Sequence, residues 1–178
     1  EIEMNSISRS KAAKLASQFF GTGRYKNTAD RNSYCTWSAY DEQGREWKFQ
    51  KDVSIAGIDS EKCEMVTPIL NYSDIETLQE LVRILRKAGA KSDSTRGCGV
   101  HIHIGAKGHT AKTIRNLANI RASHKQLLID ALNLDEVRIR RYCKTVDPRF
   151  LEQVNRTRSV QSVQFPLRQV TKTIYTLK

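Results

Sequence analysis

Long apolar runs, paired cysteines and enough acid to balance the base are all missing from this chain. No stretch approaches the roughly 20 apolar residues that a membrane-spanning helix requires, and no secretory signal is visible. The hydrophobic content of 39% is low for a compact domain. Four cysteines, Cys35, Cys63, Cys98 and Cys143, are scattered without a Cys-x-x-Cys pair, which argues against a structural zinc site and against a small disulfide scaffold. A reducing, cytoplasmic setting is the resulting expectation. A hydrolase nucleophile at Cys98 or Cys35 gains no support, because scattered cysteines usually serve packing. A Gly-x-x-x-x-Gly-Lys phosphate loop is also missing. Gly21-Thr22-Gly23 follows a helical pattern instead of preceding one, and it reads as a helix stop. The 178 residues suffice for one domain with a real core and barely for two. The chain opens at Glu1 directly on a strand-like segment, as expected of an excised or trimmed piece.

The acid deficit leaves a formal net charge of +11, unevenly placed. Residues 138–178 carry ten Lys/Arg against Asp147 and Glu152, a balance of +8. Such a segment could hold nucleic acid or a nucleoside triphosphate through phosphates, or it could be a solvated surface. Its aromatics, Tyr142, Phe150, Phe165 and Tyr175, form no stacking pattern, so a nucleic-acid module is the lesser reading.

Among what is present, Gly97-Cys98-Gly99-Val100-His101-Ile102-His103-Ile104-Gly105 stands out. Its alternation predicts a strand with His101 and His103 on one face and Val100, Ile102 and Ile104 on the other. Neutral imidazole is both a metal ligand and a base near neutral pH. Alone, His-x-His leaves a site and a solvated surface evenly matched. Two further segments shift the balance. Glu1-Ile2-Glu3-Met4 alternates with two carboxylates on one face, and Cys63-Glu64-Met65-Val66-Thr67-Pro68-Ile69-Leu70 is an apolar run holding one carboxylate. Burying an unpaired carboxylate is costly, and coordination to a cation offsets that cost. Glu1, Glu3, Glu64, His101 and His103 together suit a hard divalent cation, with carboxylate oxygens predominating.

The remaining pattern predicts a helix from Ser8 to about Phe20, with Ser8 or Ser10 as its cap, and strands over Ser33–Tyr40 and Glu46–Gln50 joined by a turn at Asp41-Glu42-Gln43-Gly44. A capping box at Ser73-Asp74-Ile75-Glu76 opens a second helix with Ile75, Leu78, Leu81, Val82 and Leu85 as its buried stripe and Gly89 as its stop. Thr110 opens a longer helix carrying Ile114, Leu117, Ile120, Leu127, Leu128 and Ala131 on one face, with His124 at the core or its boundary. Weaker strands are expected over Ser159–Leu167 and Thr171–Leu177. Alternating strands and helices with an early hairpin predict an α+β fold with an antiparallel or mixed sheet.

Taken in order, Glu1-Ile2-Glu3-Met4, Trp47 through Asp52-x-Ser54-Ile55, Glu64-x-x-x-Pro68-Ile69-Leu70, Gly89-Ala90 and Cys98-Gly99-x-His101-x-His103 resemble the amidoligase family, from Glu1 to about Lys144. This family is a branch of the carboxylate–amine ligases related to glutamine synthetase and glutamate–cysteine ligase. The resemblance implies a curved, mostly antiparallel sheet with helices on one face, like the catalytic domain of glutamine synthetase. It implies ATP-dependent amide-bond formation through an acyl phosphate, with Mg²⁺ or Mn²⁺. By the same resemblance Glu1, Glu3, Glu64 and His101 match metal ligands, His101 and His103 match contacts to the nucleotide, and Glu64 and His103 match catalytic positions. Asp52 and Ser54 match a substrate-side segment. The substrates implied are a small-molecule or peptide carboxylate and an amine. Residues 1–144 are then the catalytic core and 145–178 a basic continuation. Family members continue into a Thr-x-Glu-Phe-Arg-like strand that this chain lacks, so it is expected to be a fragment or a truncated relative. A zinc hydrolase using His101, His103 and a carboxylate is the competing enzymatic reading. A basic nucleic-acid-binding module is the competing non-enzymatic one.

Overall fold

A computed structural model of the chain describes residues 1–29, 34–105, 108–134, 136–141 and 146–156, together with the backbone of 174–175. The chain divides into two compact units, residues 1–100 and 101–178. Among the described residues, no helix is long and apolar enough to cross a membrane.

The first unit is built on an antiparallel sheet. Its strands are β1 (Ile2–Met4), β2 (Tyr25–Asn27), β3 (Trp37–Tyr40), β4 (Glu46–Gln50), β5 (Cys63–Val66) and, through its first residue Val100, β6 (Val100–His101), in the order β2-β3-β4-β5-β1-β6. The register is set by period-2 alternation. Trp37, Phe49, Met65 and Ile2 pair across four strands, and Met4 pairs with Cys63 across two of them, so the apolar residues share one face. Helix α1 (Arg9–Phe19) lies over β2, β3 and β4 and packs on α2 (Ile75–Lys87). Ala12, Ala13, Ala16 and Phe20 from α1 and Leu81 and Leu85 from α2 close the core over Trp47, Phe49 and Met65. The three alanines let α1 approach the sheet closely while losing little side-chain entropy. The architecture is α+β, an open antiparallel sheet with these helices on one face.

Several element ends are as the sequence predicts. Ser8 caps α1 by accepting from the Lys11 N–H at 3.3 Å. The β3–β4 turn closes through the Gly44 N–H to Asp41 carbonyl bond at 3.0 Å. Gly89, at φ 110°, ends α2.

Others differ. The capping box before α2 is Asn71 with Asp74, not Ser73 with Glu76, and a single 3₁₀ turn, Tyr72–Asp74, leads into the helix. Consequently Ile75 sits at the exposed start of α2 rather than in its stripe. Strand β5 stops at Val66, two residues before Pro68, where proline is expected to end the pairing, and Ile69 beyond it is exposed; β2 is an additional strand. The predicted first hairpin strand begins only at Trp37, with 30–33 outside the described residues. The His-x-His strand keeps only Val100 and His101, and Ile102 and Ile104 are exposed.

The second unit holds α3 (Ala111–Ser123), α4 (Lys125–Ala131), α5 (Glu136–Arg141), α6 (Pro148–Arg156) and β7 (Ile174–Tyr175). Helices α3 and α6 are joined by reciprocal amide bonds between Asn119 and Asn155 at 2.8 and 3.3 Å. The single long helix predicted from Thr110 is broken at His124, which takes φ −98°, ψ 13° and is exposed, so it is no core residue. Its Nδ1 lies 2.9 Å from the Ile120 carbonyl and 3.0 Å from Ser123 Oγ, local contacts that compete with helix continuation. Leu117, Ile120 and Leu127 of the predicted stripe are more than half exposed. Of the expected C-terminal strands, Ser159–Leu167 lies outside the described residues, and of Thr171–Leu177 only Ile174–Tyr175 is described. Cys143 lies outside them too.

Candidate metal centre on the polar face of the sheet

The alternation that buries Met4, Cys63 and Met65 under the helices turns the intervening residues to the opposite face. There Gln50, Glu64 and Glu3 stand in one row across β4, β5 and β1, because the pairs Gln50↔Glu64 and Glu3↔Glu64 are in register. Glu3 is 2% exposed and Glu64 5%. A Glu3 and a Glu64 carboxylate oxygen lie within 4.8 Å of each other. Two like charges directly opposite on neighbouring strands destabilise a sheet, more so when buried, unless a proton or a cation is shared between them. The pair is therefore suited to a divalent ion with oxygen ligands. Gln50 Nε2 donates to Glu64 Oε2 at 2.8 Å and fixes that carboxylate's rotamer.

The loop after β4 brings a hydroxyl to the other carboxylate. Asp52 Oδ1 accepts from the Ser54 N–H at 2.6 Å, an Asx turn that positions Ser54. Ser54 Oγ then stands 3.5 Å from Glu3 Oε1, at the outer limit of a hydrogen bond. Three ties hold the loop: Asn5 Nδ2 donates to the Ala56 carbonyl at 3.1 Å, the Ala56 N–H donates to the Arg96 carbonyl at 2.8 Å, and Ile55 is buried. Gly97 makes this approach possible. It has φ 72°, and a Cβ there would sit 2.6 Å from the Ser54 carbonyl oxygen.

The turn that presents β6 is equally local. Asp93 caps a 3₁₀ turn by accepting from the Arg96 N–H at 3.1 Å, and Gly97 reverses the chain in the left-handed conformation. Gly99 then accepts from the Glu3 N–H at 3.0 Å, and Val100 pairs with Ile2. His101 is the next residue along the chain. In the second unit, His101 and His103 lie with ring centroids 6.5 Å apart in a T-shaped arrangement, with ring nitrogens within 4.8 Å. His101 is half-buried and His103 exposed.

Of the residues singled out in the sequence, the fold of the first unit thus brings Glu3, Glu64 and Ser54 together, with Asp52 shaping the loop that carries Ser54. Glu1 precedes β1 and is half-buried. Gln50 was missed, and Gly97, though it opens the stretch singled out, was not read as the residue that makes room for Ser54. The signal for Gln50 was available, since Glu46, Lys48 and Gln50 alternate against Trp47 and Phe49 and must face away from the core. Nucleophilic chemistry has no foothold at Cys63, where burial pushes the thiol up to about 12 and leaves it protonated.

Fold and site together define an α+β protein whose open antiparallel sheet carries a core on one face and paired carboxylates with amide and hydroxyl support on the other. The chain belongs to the family described as "Putative amidoligase enzyme", which matches residues 1–177. No curated protein and no solved structure matches it.

Proposed function

We propose that the chain is an ATP-dependent carboxylate–amine ligase working through an acyl phosphate. The observation that carries the reading is the buried Glu3–Glu64 pair, set face to face by the β1–β5 register in a member of the amidoligase family. Glu3 and Glu64 would hold Mg²⁺ or Mn²⁺, with Glu1 and His101 as the further donors that the family resemblance names. When bound, the ion neutralises charge on the β- and γ-phosphates of ATP. In the reaction a substrate carboxylate oxygen attacks the γ-phosphorus and ADP leaves. An amine then attacks the acyl carbon, loses a proton and expels inorganic phosphate. Such chemistry needs positioning and charge neutralisation more than a covalent nucleophile, which accords with this residue set. Gln50 keeps Glu64 oriented, Ser54 steadies Glu3 from the loop side with Asp52 shaping that loop, and His103 is assigned to the nucleotide phosphates.

The test is thermal unfolding with a non-hydrolysable ATP analogue, with and without Mg²⁺ or Mn²⁺, in the wild type, Glu64→Gln and His103→Ala. Ligand at about a hundred times its dissociation constant adds roughly 2.7 kcal/mol. A metal-dependent upward shift lost in both variants is the expected result. A shift with Zn²⁺ alone, indifferent to nucleotide, would replace this reading with a zinc hydrolase.

A further inference from the structure

The sheet ends, among the described strands, at β2. Its hydrogen bonds to β3 run from the Tyr40 N–H to the Arg24 carbonyl at 3.1 Å and from the Thr28 N–H to the Thr36 carbonyl at 3.0 Å. With the two-residue period of an antiparallel ladder, these bonds turn the backbones of residues 24, 26 and 28 toward β3. The N–H and C=O groups of Tyr25 and Asn27 therefore point outward, and all three residues of β2 are exposed.

Both faces of this edge are dressed. On the polar face, Arg24 and Lys26 flank Tyr40, with Arg24 Cζ 5.8 Å and Lys26 Nζ 5.6 Å from the ring centroid. On the opposite face Tyr25 is 38% exposed and stacks on Trp37 at 6.1 Å. Lysine on an edge strand discourages pairing with a second copy of the same edge, because the two positive rows would meet. The same charge favours a strand of opposite sign.

We propose that β2 is a docking edge for an extended acidic peptide, which adds as a further strand. Its alternate residues carry carboxylates that meet Lys26 and Arg24, and its intervening residues are apolar or aromatic and lie against Tyr25. Directly opposed side chains on neighbouring strands stand about 5 Å apart, within reach of such pairs. Outward groups at Tyr25 and Asn27 supply the backbone bonds, and the alternation supplies the selectivity. The net charge of +11 draws such a peptide toward the chain from a distance. This site is separate from the carboxylate pair and does not depend on the ligase reading.

The experiment measures fluorescence anisotropy of a labelled Thr-Glu-Val-Glu-Val-Glu-Thr peptide with the full chain. Amide NMR shifts are followed alongside. Binding should perturb the Tyr25 and Asn27 amides, and replacing Glu by Gln in the peptide should weaken it roughly tenfold, the scale of one or two charge-assisted contacts. The pair Arg24→Glu with Lys26→Glu should do the same. Asn27→Pro removes an outward N–H and leaves the β2–β3 ladder bonds in place, but it also removes the bond from the Ala29 N–H to Asn27 Oδ1 at 2.8 Å. Asn27→Ala is therefore the control: it loses the same side-chain bond and should still bind, whereas the proline should abolish binding. Two peptides N-methylated on alternate sets of amides keep the test independent of any variant's folding, since only the set facing β2 should matter. Absence of binding, equal binding by both methylated peptides, or shifts confined to other strands would overturn the proposal.

Discussion

Arg45 shows how one residue joins two elements that the sequence leaves separate. Its Nε donates to Asp41 Oδ2 at 2.8 Å, and its two terminal nitrogens donate to the two Asp74 oxygens at 3.0 Å each. The hairpin turn is thereby fastened to the start of α2. Trp47 Nε1 adds a bond to Asp41 at 3.0 Å from within the core. Burial pushes the Asp41 carboxyl up, but the bonds from Trp47 and from the Arg45 backbone and guanidinium outweigh it and hold it below its ordinary 3.8. Asp74 is held below the same value by the Arg45 guanidinium first and the Asn71 N–H second. A carboxyl depressed in the folded state contributes stability that is present above its unfolded value and lost as pH falls through its folded one. Arg45→Ala should therefore lower the melting temperature by about 5 °C at neutral pH. The gap from wild type should narrow as pH falls below 3.8, which melting curves across that range would check. A constant gap at every pH would mean that packing, not charge, is what Arg45 supplies. Glu3, Glu64 and Gln50 belong to the same scale. Two of them were legible as carboxylates in apolar strands. Gln50 was passed over because an amide in a strand carries no charge to draw attention.

Individual elements carry the clearest limits on reading from sequence. Two overlapping capping boxes precede α2, Asn71-x-x-Asp74 and Ser73-x-x-Glu76, and both satisfy the spacing rule. The structure uses the first because Asp74 is also claimed by Arg45, a contact made across 29 positions of chain. The His-x-His alternation specifies a face without specifying how far a neighbouring strand runs beside it, so β6 is shorter than the pattern. The loop between β4 and β5 carries Ser54 to Glu3 only because Gly97 yields space. Gly97→Ala should cost about 2 kcal/mol or more, since it places a side chain at positive φ and against a backbone oxygen. Under the ligase reading it should also weaken Mn²⁺ binding by shifting Ser54, measurable by paramagnetic relaxation of water. Unchanged stability and unchanged Mn²⁺ affinity would remove the loop from the site.

For the whole molecule, the main hydrophobic cluster among the described residues is drawn from the first unit, Met4 through Ala90, while Val154 is buried in the second. A fragment of residues 1–100 should then melt cooperatively and keep its sheet by circular dichroism. Under the ligase reading it should bind Mn²⁺ roughly tenfold more weakly than the full chain, about 1.4 kcal/mol, because the donor His101 is absent. Cooperative folding with undiminished Mn²⁺ affinity would restrict the metal to the carboxylates alone. What the chain determines locally is considerable: the α+β class, the helix ends at Ser8 and Gly89, the hairpin at Gly44 and the family membership all follow from periodicity, capping and ordered motifs. Those signals act over a few residues, where sterics and hydrogen bonding between neighbours decide the outcome. Tertiary structure alone decided which strands lie side by side. It set Glu3 opposite Glu64, 61 positions apart in the chain, and left β2 at the edge of the described strands. The physical reason is that alternation tells a strand which face to bury, whereas its partner and register are chosen by competition among all strands for one shared core.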